Sequence, residues 1–271
     1  AKRKGIEQWA AKNTPDVWCM QEVRAPQNEI DPIFDEFGFE YATAGRIADQ
    51  SGLDRMNEIC RIKGRAGVGL LSALPVIDKR YGLPGLAEDV DSGRWIEADV
   101  KTPQGYTVTV VCVYVHAGNT DDPEKMKQKY RFLDTMLVRM GQLRDEAAHG
   151  GKQAVLCGDF NIAHTPLDIK NAKANEKHAG FLPEERAYVD KWLGELEFVD
   201  VMRSLCGDIQ GPYTWWSQRG RAFDNNVGWR IDYQFATPEL AETARGFVID
   251  KAPTYDLRWS DHAPLSITYD V

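Results

Sequence analysis

The segment AVLCGDFNI, residues 154–162, joins an apolar run to a short polar loop. An apolar run of this length, closed by a glycine, predicts a buried strand. The strand leads directly into Asp159 and Asn161, whose oxygen atoms can bind a cation or act on a substrate. A single Asp at the end of a strand is, however, more often a turn former or a helix cap. The segment therefore predicts a central strand, and a functional site only if partner residues lie elsewhere in the chain.

Strands dominate the rest of the sequence, with helices between them. We predict strands over residues 16–20, 67–76, 93–100, 106–115, 228–236 and 264–271, with a turn at KTPQG pairing the third and fourth. We predict helices over residues 4–12, 124–148 and 183–196, the longest with an apolar stripe at Met126, Tyr130, Leu133, Leu137 and Met140. This pattern favours an α/β (α+β) sandwich of two sheets with helices on its outer faces.

The composition is that of a globular chain. It has 271 residues, of which 43% are hydrophobic, and it lacks an apolar run long enough to span a membrane. The basic N-terminus is not followed by an apolar stretch of signal-peptide length, which favours a cytoplasmic protein. Since no repeat, low-complexity tract or clear linker is visible, we expect a single domain over residues 1–271.

Cysteine usage and net charge limit the classes of function. The five cysteines include no CxxC pair, which indicates free thiols in a reducing compartment and argues against a cysteine-based zinc site. The net charge of −8 argues against broad, nonspecific polyanion binding. It remains compatible with a nucleic-acid enzyme, because carboxylates that surround a divalent cation add negative charge that the ion offsets.

Polar residues follow or occupy predicted strands in several places. In chain order they are Glu22, Asp159 with Asn161, Asp232, and Asp261 with His262. Strand ends of one sheet can converge, so these carboxylates and the amide could meet around a hard cation. The alternative interpretation of each residue is a purely structural one, in which it forms a turn or caps a helix.

In their order and their residues, these motifs resemble those of the exonuclease III family of the endonuclease/exonuclease/phosphatase superfamily. The resemblance extends from about residue 15 to the end of the chain. The motifs are QE, YV, GDFN, AGF with PEER, YTWW, GWRIDY and SDHAPL. GDFN and SDH mark only the superfamily. The stretch YTWWSQRGRAFDNNVGWRIDY, residues 213–233, is much more specific and points to the DNA-repair branch.

The resemblance implies a fold, a reaction and a set of roles. The fold would be a four-layered α/β sandwich, with two mixed sheets face to face and helices outside. The reaction would be Mg²⁺-dependent hydrolysis of DNA phosphodiester bonds, with Mn²⁺ as a possible substitute. The implied catalytic residues are Tyr114, Asp159, Asn161, Asp232 and His262, and the implied metal ligands are Glu22, Asp159, Asn161 and Asp261. Asp232 would orient His262, and Asp159 would exchange a proton with the attacking water.

DNA contacts are implied in the same way. The candidate DNA-binding residues are Arg131, Asn171, Asn175, Trp215, Asn226 and Trp229. Trp215 and Trp229 would line a pocket for a base-less sugar, whereas Trp216 is better interpreted as the edge of the core. The expected partner is double-stranded DNA with abasic sites or 3′ ends. We expect the protein to bind it as a monomer and to have no membrane association.

The sequence departs from the family pattern in two places. The family begins with a strand carrying WN-N, and this sequence starts at the helix that follows, so the first strand is expected to be missing from the N-terminus. The family motif YVPNG is here YVHAG, which places His116 and Ala117 where Pro and Asn are usual. We assign neither residue a catalytic role.

Three functions remain as alternatives. The first is an abasic-site endonuclease with 3′–5′ exonuclease or 3′-phosphodiesterase activity. The second keeps the chemistry and changes the substrate to inositol phosphates or phospholipids; the Trp- and Arg-containing loop at 213–230 counts against it. The third is a catalytically silent DNA-binding module, against which the intact set of acidic residues and His262 argues.

Overall fold

A computed structural model describes residues 15–24, 40–43, 67–86 and 93–271, together with Ile6, Trp9, Lys12 and Asn13. For residues 40–43 it describes the backbone. The predicted helix over 4–12 falls largely outside the described residues, although Ile6 and Trp9 are helical.

Eleven strands and five helices make up the described part of the chain. The strands are β1 (Val17–Val23), β2 (Glu40–Thr43), β3 (Gly67–Ser72), β4 (Val76–Tyr81), β5 (Trp95–Lys101), β6 (Thr107–Tyr114), β7 (Gln153–Asp159), β8 (Val199–Asp200), β9 (Asp232–Ala236), β10 (Ala244–Ile249) and β11 (Leu265–Tyr269). The helices are α1 (Pro123–Ala148), α2 (Ala172–Asn175), α3 (Pro183–Gly194), α4 (Val201–Cys206) and α5 (Pro238–Ala241). Short 3₁₀ turns cover Pro166–Asp168 and Tyr255–Leu257.

A six-stranded mixed sheet forms the centre of the molecule. Its strand order is β4-β5-β6-β7-β9-β8, and β6 and β7 are its parallel pair, joined by the crossover helix α1. Parallel neighbours need such a crossover, which explains why the longest helix lies between them. The central position predicted for AVLCGDFNI is confirmed, because β7 lies between β6 and β9.

Two cores lie on opposite faces of this sheet. On one face, α1 and α3 pack through residues that include Phe132, Met136 and Trp192. On the other face, strands β1, β3 and β11 contribute to a second core that includes Leu70, Ile96 and Cys112. Trp9 contacts Trp18, with ring centroids 5.1 Å apart, which places helical residues outside the second layer of strands. The mixed α/β sandwich expected from the sequence is confirmed.

The second layer differs from the expected mixed sheet. Among the described residues it consists of a three-stranded sheet, β1-β3-β2, and a two-stranded sheet, β10-β11. Every strand pair in these two groups is antiparallel, and a mixed sheet needs at least one parallel pair.

Several predicted boundaries were wrong. The single strand predicted over 67–76 is two strands, β3 and β4, separated at residues 73–75, where Pro75 cannot donate a backbone hydrogen bond. The strand predicted over 228–236 begins at Asp232, because residues 228–231 instead pair with other loops. β1 was predicted to be buried, but among the described strands it lies at the edge of its sheet, and within it only Trp18 is buried. Strand β10 was not predicted.

The apolar stripe of α1 is also rotated slightly from the prediction. Its buried positions include Lys129, Phe132 and Met136, while Tyr130 and Leu137 are only partly buried. Within the described part of the chain, no helix is both long and apolar enough to cross a membrane.

Candidate active site

Three adjacent strands of the six-stranded sheet bring three predicted site residues side by side. Tyr114 at the end of β6 lies opposite Asp159 at the end of β7, and Asp159 lies opposite Asp232 at the start of β9. Directly opposite residues project to the same face of a sheet and have neighbouring side chains. Gly158 permits the close approach of these strands, since a Cβ there would lie 1.9 Å from the carbonyl oxygen of Val113.

His262 reaches this row from the loop before β11. Its Nδ1 lies 2.9 Å from Asp232 Oδ2, and its Nε2 lies 3.9 Å from Asp159 Oδ2. The backbone N–H of His262 donates to Ser260 Oγ at 3.1 Å, which supports the bend of the loop. The predicted pairing of His262 with Asp232 is therefore confirmed, and the far side of the imidazole faces Asp159.

The environment shifts the pKa of both facing groups. Burial raises the pKa of Asp159 well above the ordinary value of a carboxyl, although the charge of His262 works against this. Burial alone would lower the pKa of His262, but the charge of Asp232 and the hydrogen bond to it raise the pKa. The site thus pairs a cationic imidazole with a carboxyl group that can hold or release a proton near neutral pH.

Asn161 is bound tightly to Asp159. Its backbone N–H donates to Asp159 Oδ1 at 2.8 Å, and its Nδ2 donates to Asp159 Oδ2 at 2.9 Å and to the carbonyl oxygen of Val115 at 3.0 Å. These bonds require a left-handed backbone at Asn161, with φ of 51°, which Asn tolerates better than most residues. Because both amide hydrogens are used, the amide oxygen is the side-chain atom left to face a ligand.

Glu22 enters the site from the other layer of strands. The register of β1 against β3 shifts between Met20 and Val23, and Glu22 has a positive φ of 56°. Such a bulge re-aims a side chain. Tyr114 Oη donates to Glu22 Oε1 at 2.7 Å, and Arg24 Nη2 donates to Oε2 at 3.0 Å. Burial and the negative charge of Glu22 raise the pKa of Tyr114, so the phenol remains protonated and a donor.

The chemistry of the donor set fits a hard divalent cation. Among the residues that the structure describes, no three His, Cys, Asp or Glu side chains form a ready-made metal cage. Mg²⁺ does not need one, because it usually binds one or two carboxylates and completes its shell with water and substrate phosphate. The Glu22 carboxylate, with 52% of its side chain exposed beside Tyr114, is suited to such an open site. The grouping of Glu22, Asp159, Asn161 and Asp261 as shared ligands stays a prediction.

Trp215 and Trp229 form a wall beside His262. The two indole rings meet edge to face with centroids 6.0 Å apart, and the centroid of Trp215 lies 6.4 Å from that of His262. Trp215 Nε1 also donates to Asp261 Oδ2 at 3.1 Å, a contact that sequence reasoning did not foresee. Trp216 is 2% exposed and belongs to a separate core cluster, so its interpretation as a core residue is confirmed.

The other DNA-binding candidates occupy surface positions. Arg131 is exposed on α1, and Asn171 is exposed at the start of α2, where its carbonyl oxygen accepts a hydrogen bond from Asn175 Nδ2 at 2.8 Å. The side-chain oxygen of Asn226 accepts from Trp216 Nε1 and Lys251 Nζ, each at 3.0 Å, so Asn226 also has a structural role. Their contacts with DNA stay predictions.

Two residues beside the site were missed. The guanidinium of Arg94 lies 4.4 Å from the centroid of the Tyr114 ring and donates to the Tyr114 carbonyl oxygen at 3.1 Å. Lys129 is fully buried and donates to the carbonyl oxygens of Asn161 and Ala117. The sequence carries no clear signal for either residue, since Lys129 stands in the polar run KMKQK and Arg94 lies at the start of a predicted strand. His116, to which we assign no catalytic role, packs edge to face on Phe132, with ring centroids 5.6 Å apart.

The chain is similar to known proteins in sequence and in overall fold. Residues 1–262 match the model of the Endonuclease/Exonuclease/phosphatase family. An exodeoxyribonuclease of Bacillus subtilis (strain 168) is 28% identical over 256 residues, covering 94% of this chain and 88% of the relative. A DNA-(apurinic or apyrimidinic site) endonuclease of Dictyostelium discoideum is 30% identical over 268 residues, covering 99% of this chain and 66% of the relative. The structure of an AP endonuclease from Archaeoglobus fulgidus superposes with a TM-score of 0.81 at 29% identity, covering 98% of this chain and 93% of that one.

Proposed function

The chain belongs to the endonuclease/exonuclease/phosphatase family, and from this premise we propose that it is a metal-dependent DNA-repair nuclease. Its substrate would be duplex DNA with an abasic site or a 3′ end that needs processing. The relatives named exodeoxyribonuclease and abasic-site endonuclease support both forms of the reaction. The proposed activity is hydrolysis of the phosphodiester bond 5′ to an abasic sugar, together with removal of nucleotides or blocking groups from 3′ ends.

The observation that carries this proposal is the placement of Asp159 between two different groups. Its carboxylate is held by the N–H groups of Asn161 on one side, and the Nε2 of His262 lies 3.9 Å away on the other. This separation is too short to hold both reactants between the two groups, so a water molecule and a phosphate oxygen would lie beside the pair, the water against the carboxylate and the phosphate oxygen against the imidazole. The geometry suits hydrolysis of a phosphodiester, because it combines a proton acceptor with a donor for the phosphate.

Five residues of the candidate site have roles in the proposed mechanism. Asp159 accepts a proton from the attacking water. His262, kept cationic by Asp232, donates a hydrogen bond to a non-bridging phosphate oxygen, where negative charge develops. Tyr114 donates to Glu22 and lies next to Asp159, so its hydroxyl can also approach the phosphate. A divalent cation held through Glu22 would neutralise the phosphate and stabilise the leaving 3′ oxygen.

The aromatic wall supports the choice of substrate. Trp215 and Trp229 are half-buried and lie against each other next to His262. An apolar surface formed by two indoles set edge to face suits the apolar face of a deoxyribose that has lost its base and can swing out of the duplex. The small polar rings of inositol phosphates gain little from such a wall, so the DNA substrate is preferred over the phosphatase alternative.

One assay tests the proposal. An end-labelled duplex carrying a single tetrahydrofuran abasic analogue is incubated with the protein and Mg²⁺, with Mn²⁺, or with chelator. We expect incision at the analogue with either metal and none with chelator, and slower shortening of a recessed 3′ end. Release of phosphate from an inositol phosphate without incision would favour the phosphatase. Binding of the duplex without cleavage of any substrate would favour a silent binding module.

A further inference from the structure

Lys129 occupies an unusual position in the long helix α1. It lies on the buried face of the helix, and none of its surface is exposed. Its Nζ lies 2.5 Å from a carboxylate oxygen of Glu185 on α3, 2.9 Å from the carbonyl oxygen of Asn161 and 3.1 Å from that of Ala117. One ammonium group therefore contacts three separate segments of the chain, two through hydrogen bonds and one through an ion pair.

Two of these segments border the candidate active site. Asn161 follows β7 and holds both oxygens of Asp159 through its N–H groups. Ala117 follows β6, whose last residue is Tyr114. The left-handed backbone of Asn161 directs its carbonyl oxygen away from Asp159 and towards Lys129. The ammonium thus bonds to the same residue whose other polar groups orient the catalytic carboxylate.

The third segment leads towards the aromatic wall. The second carboxylate oxygen of Glu185 accepts from the backbone N–H of Gly180 at 2.6 Å and of Leu182 at 3.0 Å. Gly180 lies between Asn161 and Trp229: a Cβ on this glycine would be 3.1 Å from the Asn161 carbonyl oxygen and 3.0 Å from the Trp229 ring. Lys129 and Glu185 consequently connect the loop after β7, the loop after β6 and the backbone under Trp229.

A buried ion pair usually adds little to the stability of a fold. Removing two charges from water is expensive, and apolar residues of similar volume often stabilise a core as well or better. The neighbouring buried positions of α1 are apolar, including Met126, Phe132 and Leu133. Methionine at position 129 would continue that stripe without a desolvation penalty, but it could not hold the carbonyl oxygens of Asn161 and Ala117.

We propose that Lys129 is a positioning residue for the hydrolytic reaction. By donating to the Asn161 carbonyl, its ammonium fixes the backbone of Asn161 so that both N–H groups of that residue hold the Asp159 carboxylate in its reactive orientation. Glu185 fixes the ammonium and couples it to the segment beneath Trp229. This inference rests on the proposed function, since it assigns the Asp159 carboxylate to the cleavage of DNA.

The kinetic test separates positioning from stability. Lys129→Met removes the donors with little change in volume but leaves Glu185 buried without its partner. The double variant Lys129→Met/Glu185→Gln removes both charges, and the glutamine oxygen can still accept from Gly180 and Leu182. We expect kcat on the abasic duplex to fall on the order of 10- to 100-fold in both variants, with KM within about threefold, because a small misplacement of reacting groups is enough for such a loss.

Thermal unfolding shows which role explains a loss of rate. We expect the single variant to unfold at lower temperature and the double variant to regain most of that loss, while its kcat stays low. Lys125→Met, an exposed lysine one turn earlier on α1, is the matched control and should change neither quantity. Recovery of kcat together with stability in the double variant would overturn the proposal.

A spectroscopic test does not depend on enzymatic activity. The dipeptide Asn–Ile occurs once in the sequence, at residues 161–162. Labelling Asn with ¹³C at the carbonyl and Ile with ¹⁵N therefore yields a single carbonyl–amide correlation, which reports the carbonyl that Lys129 binds. We expect this carbonyl resonance to move upfield in both Lys129→Met proteins and to stay in place in Lys125→Met. An unmoved resonance would overturn the inference, whereas an inactive wild-type protein would count against the proposed function and leave this measurement to decide the role of Lys129.

Discussion

His262 Nδ1 lies 2.9 Å from Asp232 Oδ2, although the two residues are 30 positions apart in the chain. Asp232 begins β9, and His262 lies in the loop that leads to β11. The bond fixes which nitrogen of the imidazole remains available, because Nδ1 is directed at Asp232 and Nε2 faces Asp159. A histidine oriented in this way can act on only one point of the substrate, which leads to the first prediction.

We expect His262→Ala to lower kcat on abasic duplex by about 100-fold, equivalent to about 3 kcal/mol of transition-state stabilisation, as for other oriented electrostatic groups. Affinity for the duplex should change little, because most contacts of such proteins are made to phosphates elsewhere. Single-turnover kinetics and a gel-shift titration measure the two effects. His149→Ala, at the exposed end of α1, is the control. Near-normal turnover by His262→Ala would end the catalytic assignment.

Glu22→Gln should weaken the use of metal while leaving the fold intact. The glutamine can still accept the hydrogen bond from Tyr114, but it no longer offers a charged oxygen to the cation. We expect the Mg²⁺ concentration for half-maximal incision to rise on the order of 10-fold or more. A titration of activity with Mg²⁺ checks this, with the exposed Glu239→Gln variant as control. Superimposable titration curves for Glu22→Gln and wild type would exclude Glu22 as the metal anchor.

Two substitutions of Trp215 should separate its two contacts. Trp215→Phe keeps an aromatic wall but removes the N–H that binds Asp261, whereas Trp215→Ala removes both. We expect Trp215→Phe to lower the rate by about 10-fold, close to the free energy of one hydrogen bond to a charged group, with selectivity for the abasic site retained. Trp215→Ala should reduce incision of abasic duplex more than hydrolysis of a small phosphodiester, and Trp229→Ala should do the same.

The control for these variants is Trp216→Phe. Trp216 is buried in a separate cluster and donates to Asn226, so its replacement should lower the unfolding temperature and leave the ratio of the two activities unchanged. Equal losses on both substrates for Trp215→Ala would instead assign Trp215 a role in folding.

The acid stability of the protein should depend on Asp168. This buried carboxylate accepts from Arg230 Nε at 2.6 Å and Arg203 Nη2 at 2.5 Å. Burial alone would raise the pKa of Asp168, but Arg230 and Arg203 outweigh it and lower the pKa from 3.8 to about 2. Because the pKa of Asp168 is lower in the folded state than in the unfolded state, its ionised form stabilises the fold. This contribution to the free energy of unfolding is complete above about pH 4, and about 2 kcal/mol of it is lost as the pH falls towards 2.

Asp168→Asn should therefore destabilise the protein by about 3 kcal/mol at pH 7, because it removes one of the two carboxylates that offset the buried charge of Arg230 and leaves only Asp200. The difference in the free energy of unfolding between this variant and wild type should narrow by about 2 kcal/mol between pH 4 and pH 2. Urea unfolding at a series of pH values measures it, with the exposed Asp256→Asn as control. A difference that is constant over this range would show that Asp168 does not titrate with a lowered pKa.

Local pattern in the sequence was sufficient to predict much of the fold and to select the candidate site residues. The long helix α1 and strand β7 follow from apolar periodicity and length, which depend only on near neighbours along the chain. Asp159, Asp232 and His262 stand in motifs that resemble one family, and the pairing of Asp232 with His262 followed from that resemblance.

Tertiary structure decided what depends on register and packing between distant segments. The row of Tyr114, Asp159 and Asp232 exists because β6, β7 and β9 are neighbours in one particular register, and a shift by one residue would turn each side chain to the other face. Residues far apart in the chain are joined by the contact of Trp215 with Asp261 and by the two hydrogen bonds and the ion pair of Lys129. A lysine in a helical pattern predicts a surface charge, and only the packing of α1 against α3 and the loop after β7 makes Lys129 a buried cation bound to Asn161, the residue that holds the Asp159 carboxylate.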